Sequence, residues 1–300
     1  MKTSTSKRLR WNVAIWLAAG LFMAGTAGMA SGPIMPDPKA EARHQPQVEE
    51  TANGIPLVNI TAPSSGGVSR NEYETFNVPD KGAILNNSYT LSKTELAGYV
   101  QGNNNMAERP AKIIVNEVTG AGSTSMDGFL EVAGNRADVV IANPNGITVN
   151  GGGFINTGKA FLTTGKPVYD GEDHLQRFDI TGGDILIEGK GLGGKETGSL
   201  AILSRAVKIN AGIWAKDLHI TTGANTVDAK TLEASAIEGK GGHPAFALDT
   251  AAIGGMYAGR ITLVGTEKGL GVNNSGTWSA EDNLTLDWNG DLKNSGTIYS

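Results

Sequence analysis

Residues 137–149 read ADVVIANPNGITV, which is an apolar run, a short polar segment and a second apolar run. Pro144 fixes φ and removes a backbone donor, so it suits the first central position of a turn. Asn145 and Gly146 both tolerate positive φ, and asparagine can bond its own backbone. The pattern predicts a strand, a tight turn at Pro144 and Asn145, and a new strand that starts near Ile147.

Short apolar runs recur along the chain with Gly, Asn or Asp between them. The sequence NSGTW at 274–278 returns as NSGTI at 294–298, a spacing of 20 residues, and segment 212–220 is echoed at 276–286. A period of about 20 residues, with strand and turn alternating, is typical of one coil of a parallel β-helix. In such a stack Asn274 and Asn294 would form a hydrogen-bonded ladder.

Segment 212–220 also predicts which side chains enter the coil. Alternate residues of a strand point to opposite faces. The side chains expected inside are Ile213, Ala215, Leu218 and Ile220, and those expected to face water are Lys216, Asp217 and His219.

Composition excludes several functions. Gly accounts for 42 of 300 residues, there is no cysteine, and the net charge is −5. Without cysteine there is no disulfide, thiolate or cysteine-zinc chemistry. Without a basic block beyond the N-terminus, nucleic acid binding has no electrostatic basis.

No catalytic constellation is visible. The four histidines fall in separate places, namely His44, His174, His219 and His243. Parallel β-helices also include polysaccharide lyases, in which clustered carboxylates take part in catalysis. The closest group, Asp170, Glu172 and Asp173, lies in a polar segment that predicts a loop. We therefore predict no catalytic residue, no metal site and no cofactor.

Several sequence blocks together resemble the N-terminal secretion domain (TPS domain) of two-partner-secretion exoproteins, the group of filamentous haemagglutinin-like adhesins, haemolysins and contact-dependent inhibition toxins. Besides the 143–147 turn, the blocks that carry the resemblance are 58–60, 76–78, 84–88, 114–118, 128–134, 153–157 and 162–165. The resemblance implies an all-β fold, a right-handed parallel β-helix with N-terminal capping strands and extra-helical hairpins.

The resemblance also implies partners. They are the general secretory translocon and then, in the periplasm, an outer-membrane β-barrel transporter with POTRA-type modules; a host or target-cell surface is a further partner. The residues that it assigns to secretion are Asn143, Pro144, Asn145, Gly146 and Ile147. Whether the transporter reads this turn or the turn only supports the fold stays open.

A second turn motif lies at Asn103, Asn104, Asn105 and Met106, where the family usually has Asn-Pro-Asn-Leu. Asn104 replaces the proline, and Met106 replaces the leucine. Asparagine accepts turn geometry and methionine can fill an apolar site, so the turn can still form. Many members of the toxin branch carry a cysteine pair after the first turn, where this chain has Val149 and Gly152.

The chain divides into three predicted regions. Residues 1–30 have a basic start, an apolar run at 13–23 and small residues before a predicted cleavage after Ala30, the pattern of a signal peptide. Residues 31–52 contain four prolines and predict a poorly ordered polar linker. The TPS-type domain follows at 53–300, with a capping region to 110 and coils from 111 that continue beyond 300 or are truncated there. Excursions from the coils are expected at 164–178 and 234–248.

The predicted function is to direct secretion of an exoprotein to the cell surface or the medium. One alternative is a surface adhesin module that binds host or neighbouring-cell ligands directly. The other is a polysaccharide lyase.

Overall fold

Nearly all regular structure in the chain is β-strand, as shown by a computed structural model that describes residues 32–106 and 109–300. The helical element in these two ranges is one 3-10 turn at Ala42–His44. Within them, no helix has the length and apolar character needed to cross a membrane. The predicted signal peptide and its cleavage site lie outside the described residues.

The N-terminal third contributes seven strands. They are β1 Ile34–Pro36, β2 Gln47–Glu50, β3 Pro56–Asn59, β4 Val68–Phe76, β5 Ala83–Asn87, β6 Ser92–Thr94 and β7 Gly98–Val100. Strands β6 and β7 form a separate two-stranded hairpin.

The remaining strands follow one another at short intervals. They are β8 Ile113–Val118, β9 Thr124–Met126, β10 Phe129–Gly134, β11 Ala137–Ala142, β12 Ile147–Val149, β13 Gly152–Ile155, β14 Thr157–Thr163, β15 Lys166–Tyr169, β16 Leu175–Ile180, β17 Asp184–Ile187, β18 Leu192–Gly194, β19 Ser199–Ser204, β20 Ala206–Ile209, β21 Gly212–Thr222, β22 Asn225–Asp228, β23 Ala234–Ala236, β24 Leu248–Thr250, β25 Gly255–Gly265, β26 Val272–Asn274, β27 Thr277–Trp288, β28 Leu292–Asn294 and β29 Thr297–Tyr299.

Parallel pairing arranges these strands into three faces. Face 1 contains β4, β8, β11, β14, β19 and the C-terminal halves of β21, β25 and β27. Face 2 contains β3, β5, β10, β13, β18, the N-terminal halves of β21, β25 and β27, and β29. Face 3 contains β9, β12, β17, β20, β24, β26 and β28. The predicted parallel β-helix is confirmed.

The 20-residue period corresponds to one coil. Asn274 pairs with Asn294 in the parallel ladder, and the amide Nδ2 of Asn274 donates to Oδ1 of Asn294 at 2.8 Å. The predicted ladder is therefore present.

In the structure the tryptophans of the two similar segments, 212–220 and 276–286, do not occupy equivalent positions. Through β25, Ile213 aligns with Trp278, while Trp214 aligns with Ser279. A one-residue shift moves a side chain to the opposite face of a strand. Trp278 is accordingly fully buried, whereas Trp214 lies on the outer surface.

The described part of the predicted linker, residues 32–52, contains two paired strands. Strand β1 pairs antiparallel with β4, and β2 pairs antiparallel with β3. These two strands are the two ends of the largest sheet, so they cover the exposed edges of the first coil. Pro36 of β1 is tolerated because a strand at the end of a sheet needs hydrogen bonds on one side only. The capping strands thus lie upstream of the predicted capping region, while β3, β4 and β5 already pair as coil strands.

A four-stranded antiparallel sheet covers the outside of face 1. It consists of β15, β16, β22 and β23, so the first excursion is a hairpin and part of the second lies upstream of its predicted position. Phe178 of this sheet packs on Phe161 of face 1 with 5.6 Å between ring centroids. The part of face 1 from β4 to β19 is therefore buried on both sides, which explains continuous apolar runs such as residues 139–142.

The inward side chains of β21 agree with the prediction, and one outward side chain does not. Ile213, Ala215, Leu218 and Ile220 are buried. His219 is half-buried instead of facing water, in a depression that Leu232 of the β22–β23 connection also lines. Burial, with a smaller effect of Lys159, lowers the pKa of His219 to about 4.

This shift predicts an acid-sensitive contribution to stability. A histidine with a lowered pKa stabilises the folded state only while it is neutral, so its contribution is complete above pH 6.5 and is lost as the pH falls toward about 4. The expected loss of unfolding free energy in this window is about 3 kcal/mol. His219→Gln should remove that part of the pH dependence, measured by urea unfolding at a series of pH values.

His243→Gln serves as the control, because the His243 side chain is 74% exposed. Comparison with the wild type at each pH cancels the opposite trend from Glu117 and Glu131, whose pKa values burial raises. Equal pH profiles for His219→Gln and the wild type would contradict the prediction.

Candidate functional site

The 143–147 segment forms a tight turn between β11 on face 1 and β12 on face 3. The N–H of Gly146 donates to the carbonyl of Asn143 at 3.1 Å, which closes a four-residue turn. Gly146 has φ of +111°, a region that strongly favours glycine. The backbone of Asn145 does not use the positive φ that its residue type allows.

Asn143 is a buried clamp between coils. Its side-chain amide Nδ2 donates to the Gly122 carbonyl and to Oγ1 of Thr124, both at 3.0 Å. Its Oδ1 accepts the N–H of Asn145 at 2.9 Å. Gly122 and Thr124 belong to the preceding coil, so one side chain both shapes the turn and bonds it to the neighbouring coil.

The five motif residues divide into buried and exposed groups. Asn143, Gly146 and Ile147 are buried, whereas Pro144 and Asn145 are exposed. Asn145 also donates from Nδ2 to the Gly120 carbonyl at 2.8 Å. The exposed ring of Pro144 and the outer edge of Asn145 are therefore the parts of the motif that an approaching protein can touch.

The second motif repeats this geometry closely. Met106 N–H donates to the Asn103 carbonyl at 3.1 Å, and Asn105 N–H donates to Oδ1 of Asn103 at 2.9 Å. Asn103 is buried, and its Nδ2 donates to the carbonyls of Ile60 and Asn86 at 2.8 and 3.0 Å.

The altered residues of the second motif fit the turn. Asn104 occupies the exposed position that Pro144 has in the first motif, and Met106 is buried. Replacement of the proline therefore leaves the turn formed.

The two turns lie at different corners of the β-helix. The first leads from face 1 to face 3. The second precedes β8 of face 1. It is hydrogen-bonded to Ile60, which follows β3 of face 2, and to Asn86, which lies on β5 of face 2. The fold repeats one turn design at two places and does not assemble both motifs into one site.

A shallow depression of about 480 Å³ adjoins the first turn. Thr148 on β12 pairs with Leu186 on β17, which pairs with Lys208 on β20, and these three side chains line it. Lys208 Nζ lies 3.7 Å from Oδ2 of Asp184. Sequence reasoning missed these residues because they come from successive coils; extrapolation of the coil period from Thr148 would have been the available signal.

A polar cluster lies beneath the β15–β16 hairpin. Arg70 contacts Glu72 at 2.8 Å and Glu117 at 3.5 Å, and its guanidinium lies 4.4 Å from the ring centre of Tyr169. His44 Nδ1 lies 3.0 Å from Oε1 of Glu72. Burial raises the pKa of Glu117 and lowers that of His44. This cluster joins the N-terminal cap to the hairpin and is covered by both, so it connects elements of the fold.

The carboxylates considered for catalysis have structural partners. Oδ1 of Asp170 accepts the N–H groups of Glu172 and His174 at the hairpin tip, both at 2.9 Å. Asp173 forms an ion pair with Arg43 at 2.8 Å. Over residues 32–106 and 109–300, no three histidine or acidic side chains are grouped so that they could hold a metal ion.

Comparison with known proteins gives matches over almost the whole described chain. The profile of the TPS secretion domain matches residues 33–298. Toxin CdiA of Yersinia pestis is 45% identical over 274 residues, which are 90% of this chain and 8% of that protein. The 16S rRNA endonuclease CdiA of Enterobacter cloacae is 46% identical over 249 residues, 82% of this chain and 8% of that protein.

A solved structure has the same fold. The crystal structure of the filamentous hemagglutinin secretion domain superposes with a TM-score of 0.80 at 31% identity, covering 89% of this chain and 97% of that one.

The geometry of the first turn predicts unequal costs for its two asparagines. Asn143→Ala removes four hydrogen bonds of a buried side chain and should lower the unfolding free energy by about 2–3 kcal/mol. Asn145→Ala, at an exposed position, should cost about 1 kcal/mol. Urea unfolding of the purified chain measures both values, and an Asn143→Ala cost no larger than that of Asn145→Ala would contradict the clamp.

The second turn predicts a stabilising substitution. Asn104→Pro places proline where the equivalent turn has Pro144, and it should raise the unfolding free energy by about 0.5–1 kcal/mol by restricting the unfolded chain. Asn105→Pro is the matched control and should destabilise, since the N–H of Asn105 donates to Asn103. Thermal unfolding separates the two variants; a lower midpoint for Asn104→Pro would show that the two turns are not equivalent.

Proposed function

The chain belongs to the TPS secretion domain family, and on this premise we propose that its first turn and the adjoining depression are the surface that a dedicated outer-membrane transporter recognises. The chain is the secretion-directing domain of an exoprotein of the filamentous haemagglutinin and CdiA type.

The first motif has buried and exposed residues, and this division supports the assignment of its exposed side as the recognition surface. Asn143 and Ile147 are buried and hold the turn, while Pro144 and Asn145 are exposed, and Asn145 lines a depression of about 480 Å³. A rigid turn next to a concave surface loses little conformational freedom when a partner binds. The mixed lining of Leu186, Lys208 and Asp184 offers both apolar and charged contacts to the periplasmic POTRA-type modules of the transporter.

Strand pairing with the transporter is the second part of the mechanism, and it follows recognition of the turn. An extended strand of this chain can pair with an edge strand of the transporter, so that backbone bonds give affinity and side-chain pockets give specificity. Outside the cell, each emerging coil can pair with the coil already formed. Because coil stacking is local and favourable, folding biases the movement outward without a nucleotide as energy source.

The route before this step follows the N-terminal pattern. Residues 1–30 act as a signal peptide for the general secretory translocon, with cleavage after Ala30. The exported chain reaches the cell surface or the medium. The domain has no enzymatic role of its own; its carboxylates at the hairpin tip serve the turn and an ion pair.

The complete exoprotein is proposed to be a CdiA-like toxin. The chain spans about 8% of the length of the CdiA proteins that it matches, and these are 45% and 46% identical, against 31% for the filamentous hemagglutinin domain. Some of these relatives are named as nucleases. We assign that activity to regions of those proteins outside the matched segment.

Export with and without the cognate transporter tests the proposed surface. The wild-type 300-residue chain should appear in the medium only when the transporter is present. A Pro144→Ala/Asn145→Ala double variant should be exported at least tenfold less, because it alters the exposed part of the turn and keeps the buried clamp. Immunoblots of medium and periplasm measure the effect.

Tyr99→Ala is the control, since Tyr99 is 70% exposed and lies on the β6–β7 hairpin. Urea unfolding of each purified variant shows whether lost export follows lost stability. Export of the double variant at the wild-type level would restrict the turn to a structural role, and export without the transporter would overturn the assigned route.

A further inference from the structure

Face 2 carries an outward-facing row of aromatic side chains that secretion does not explain. The row crosses the strands in register in the order Phe129, Gly153, Gly193, Trp214 and Tyr257. Phe129 is 42% exposed and Tyr257 is 38% exposed. The rings of Trp214 and Tyr257 stack with centroids 6.2 Å apart and planes inclined by 15°.

Glycines make room for these rings against the sheet. A Cβ at Gly212 would lie 2.5 Å from the Trp214 ring, and one at Gly255 would lie 2.8 Å from the Tyr257 hydroxyl. A Cβ at Gly153 would likewise collide with Phe129. Each ring therefore leans over a neighbouring glycine, and larger residues there would push the rings away from the backbone.

A slot lies over Gly193, between the rings of Phe129 and Trp214. The strands that carry these two residues are three spacings apart, about 14 Å, and the Phe129 ring already covers Gly153. The slot has a volume of about 290 Å³, and Lys195 and Glu196 also line it. It thus has aromatic walls, a backbone floor and one charge of each sign at its border.

The slot adjoins a larger and more polar cleft. Glu196 also lines a cleft of about 1070 Å³ between face 2 and the β6–β7 hairpin, where Lys93, Glu95 and Arg136 contribute side chains. The aromatic slot and the polar cleft therefore lie next to each other on face 2.

We propose that this row is a binding site for a linear, uncharged glycan of β-1,4-linked hexopyranoses. A pyranose has C–H groups on its faces and hydroxyl groups at its edges. The faces match the electron-rich faces of Trp214, Tyr257 and Phe129. The edges match the ammonium of Lys195 and the carboxylate of Glu196 as hydrogen-bonding groups.

Other occupants fit this surface less well. A peptide cannot add as a strand here, because β10, β13 and β18 are each already paired on both sides. A nucleic acid could stack its bases on aromatic rings, but the charges around the slot and cleft are of both signs and the chain charge is −5, so no basic surface attracts a polyanion. A flat, uncharged glycan with apolar ring faces matches both the aromatic row and the charged residues beside it.

Calorimetric titration of the 300-residue chain with cellohexaose and chitohexaose tests the proposal. We expect saturable binding of at least one of them and at least tenfold weaker binding of maltohexaose, whose α-linked chain is curved. Trp214→Ala should weaken binding at least tenfold. Gly193→Val should do the same by filling the slot, since a Cβ there meets its nearest atom, in Phe129, at an ordinary 3.6 Å.

Tyr99→Ala is the matched aromatic control and should bind like the wild type. Circular dichroism confirms that each variant is folded, and Gly193→Val retains every aromatic ring. No binding of either β-linked hexaose at millimolar concentration would overturn the proposal. So would unchanged binding in both Trp214→Ala and Gly193→Val, equal binding of maltohexaose, or self-association that Trp214→Ala abolishes in a chain that binds no glycan.

Discussion

A parallel β-helix can begin only where something pairs with the backbone of its first coil. In this chain the antiparallel strands β1 and β2 meet that requirement, each at one end of the largest sheet. Every later coil has the preceding coil as its template, so the geometry of the whole stack depends on this first closure. The polar cluster of Arg70, Glu72 and His44 then connects the cap to the coil beneath it.

The coil architecture could be predicted because a 20-residue period and strand alternation are visible along one chain. The burial of Ile213 and Leu218 follows directly from that alternation. The cap could not be predicted in the same way. Its prolines indicate a linker, and only the pairing of Ile34 with Phe76 across the fold shows that a proline-rich strand has a place at the sheet edge.

The residue types within the two turns predict their shape. They do not predict the contacts with other coils that stabilise them. Pro144 and Gly146 indicate a tight turn, but burial of Asn143 depends on Gly122 and Thr124 of the preceding coil. The half-buried state of His219 likewise depends on a sheet that folds back over face 1. Residues that face one another across coils are therefore beyond sequence reasoning unless the coil register is already known. The same motif consequently combines a buried part that holds the coils together with an exposed part available to a partner.

The ion pair between Arg43 and Asp173 joins residues 130 positions apart. The contact of Arg70 with Tyr169 joins the first coil to the same hairpin. Neither contact can form until the hairpin is available to the N-terminal strands. The N-terminal cap therefore reaches its final set of contacts only when a segment of more than 130 residues folds together with it.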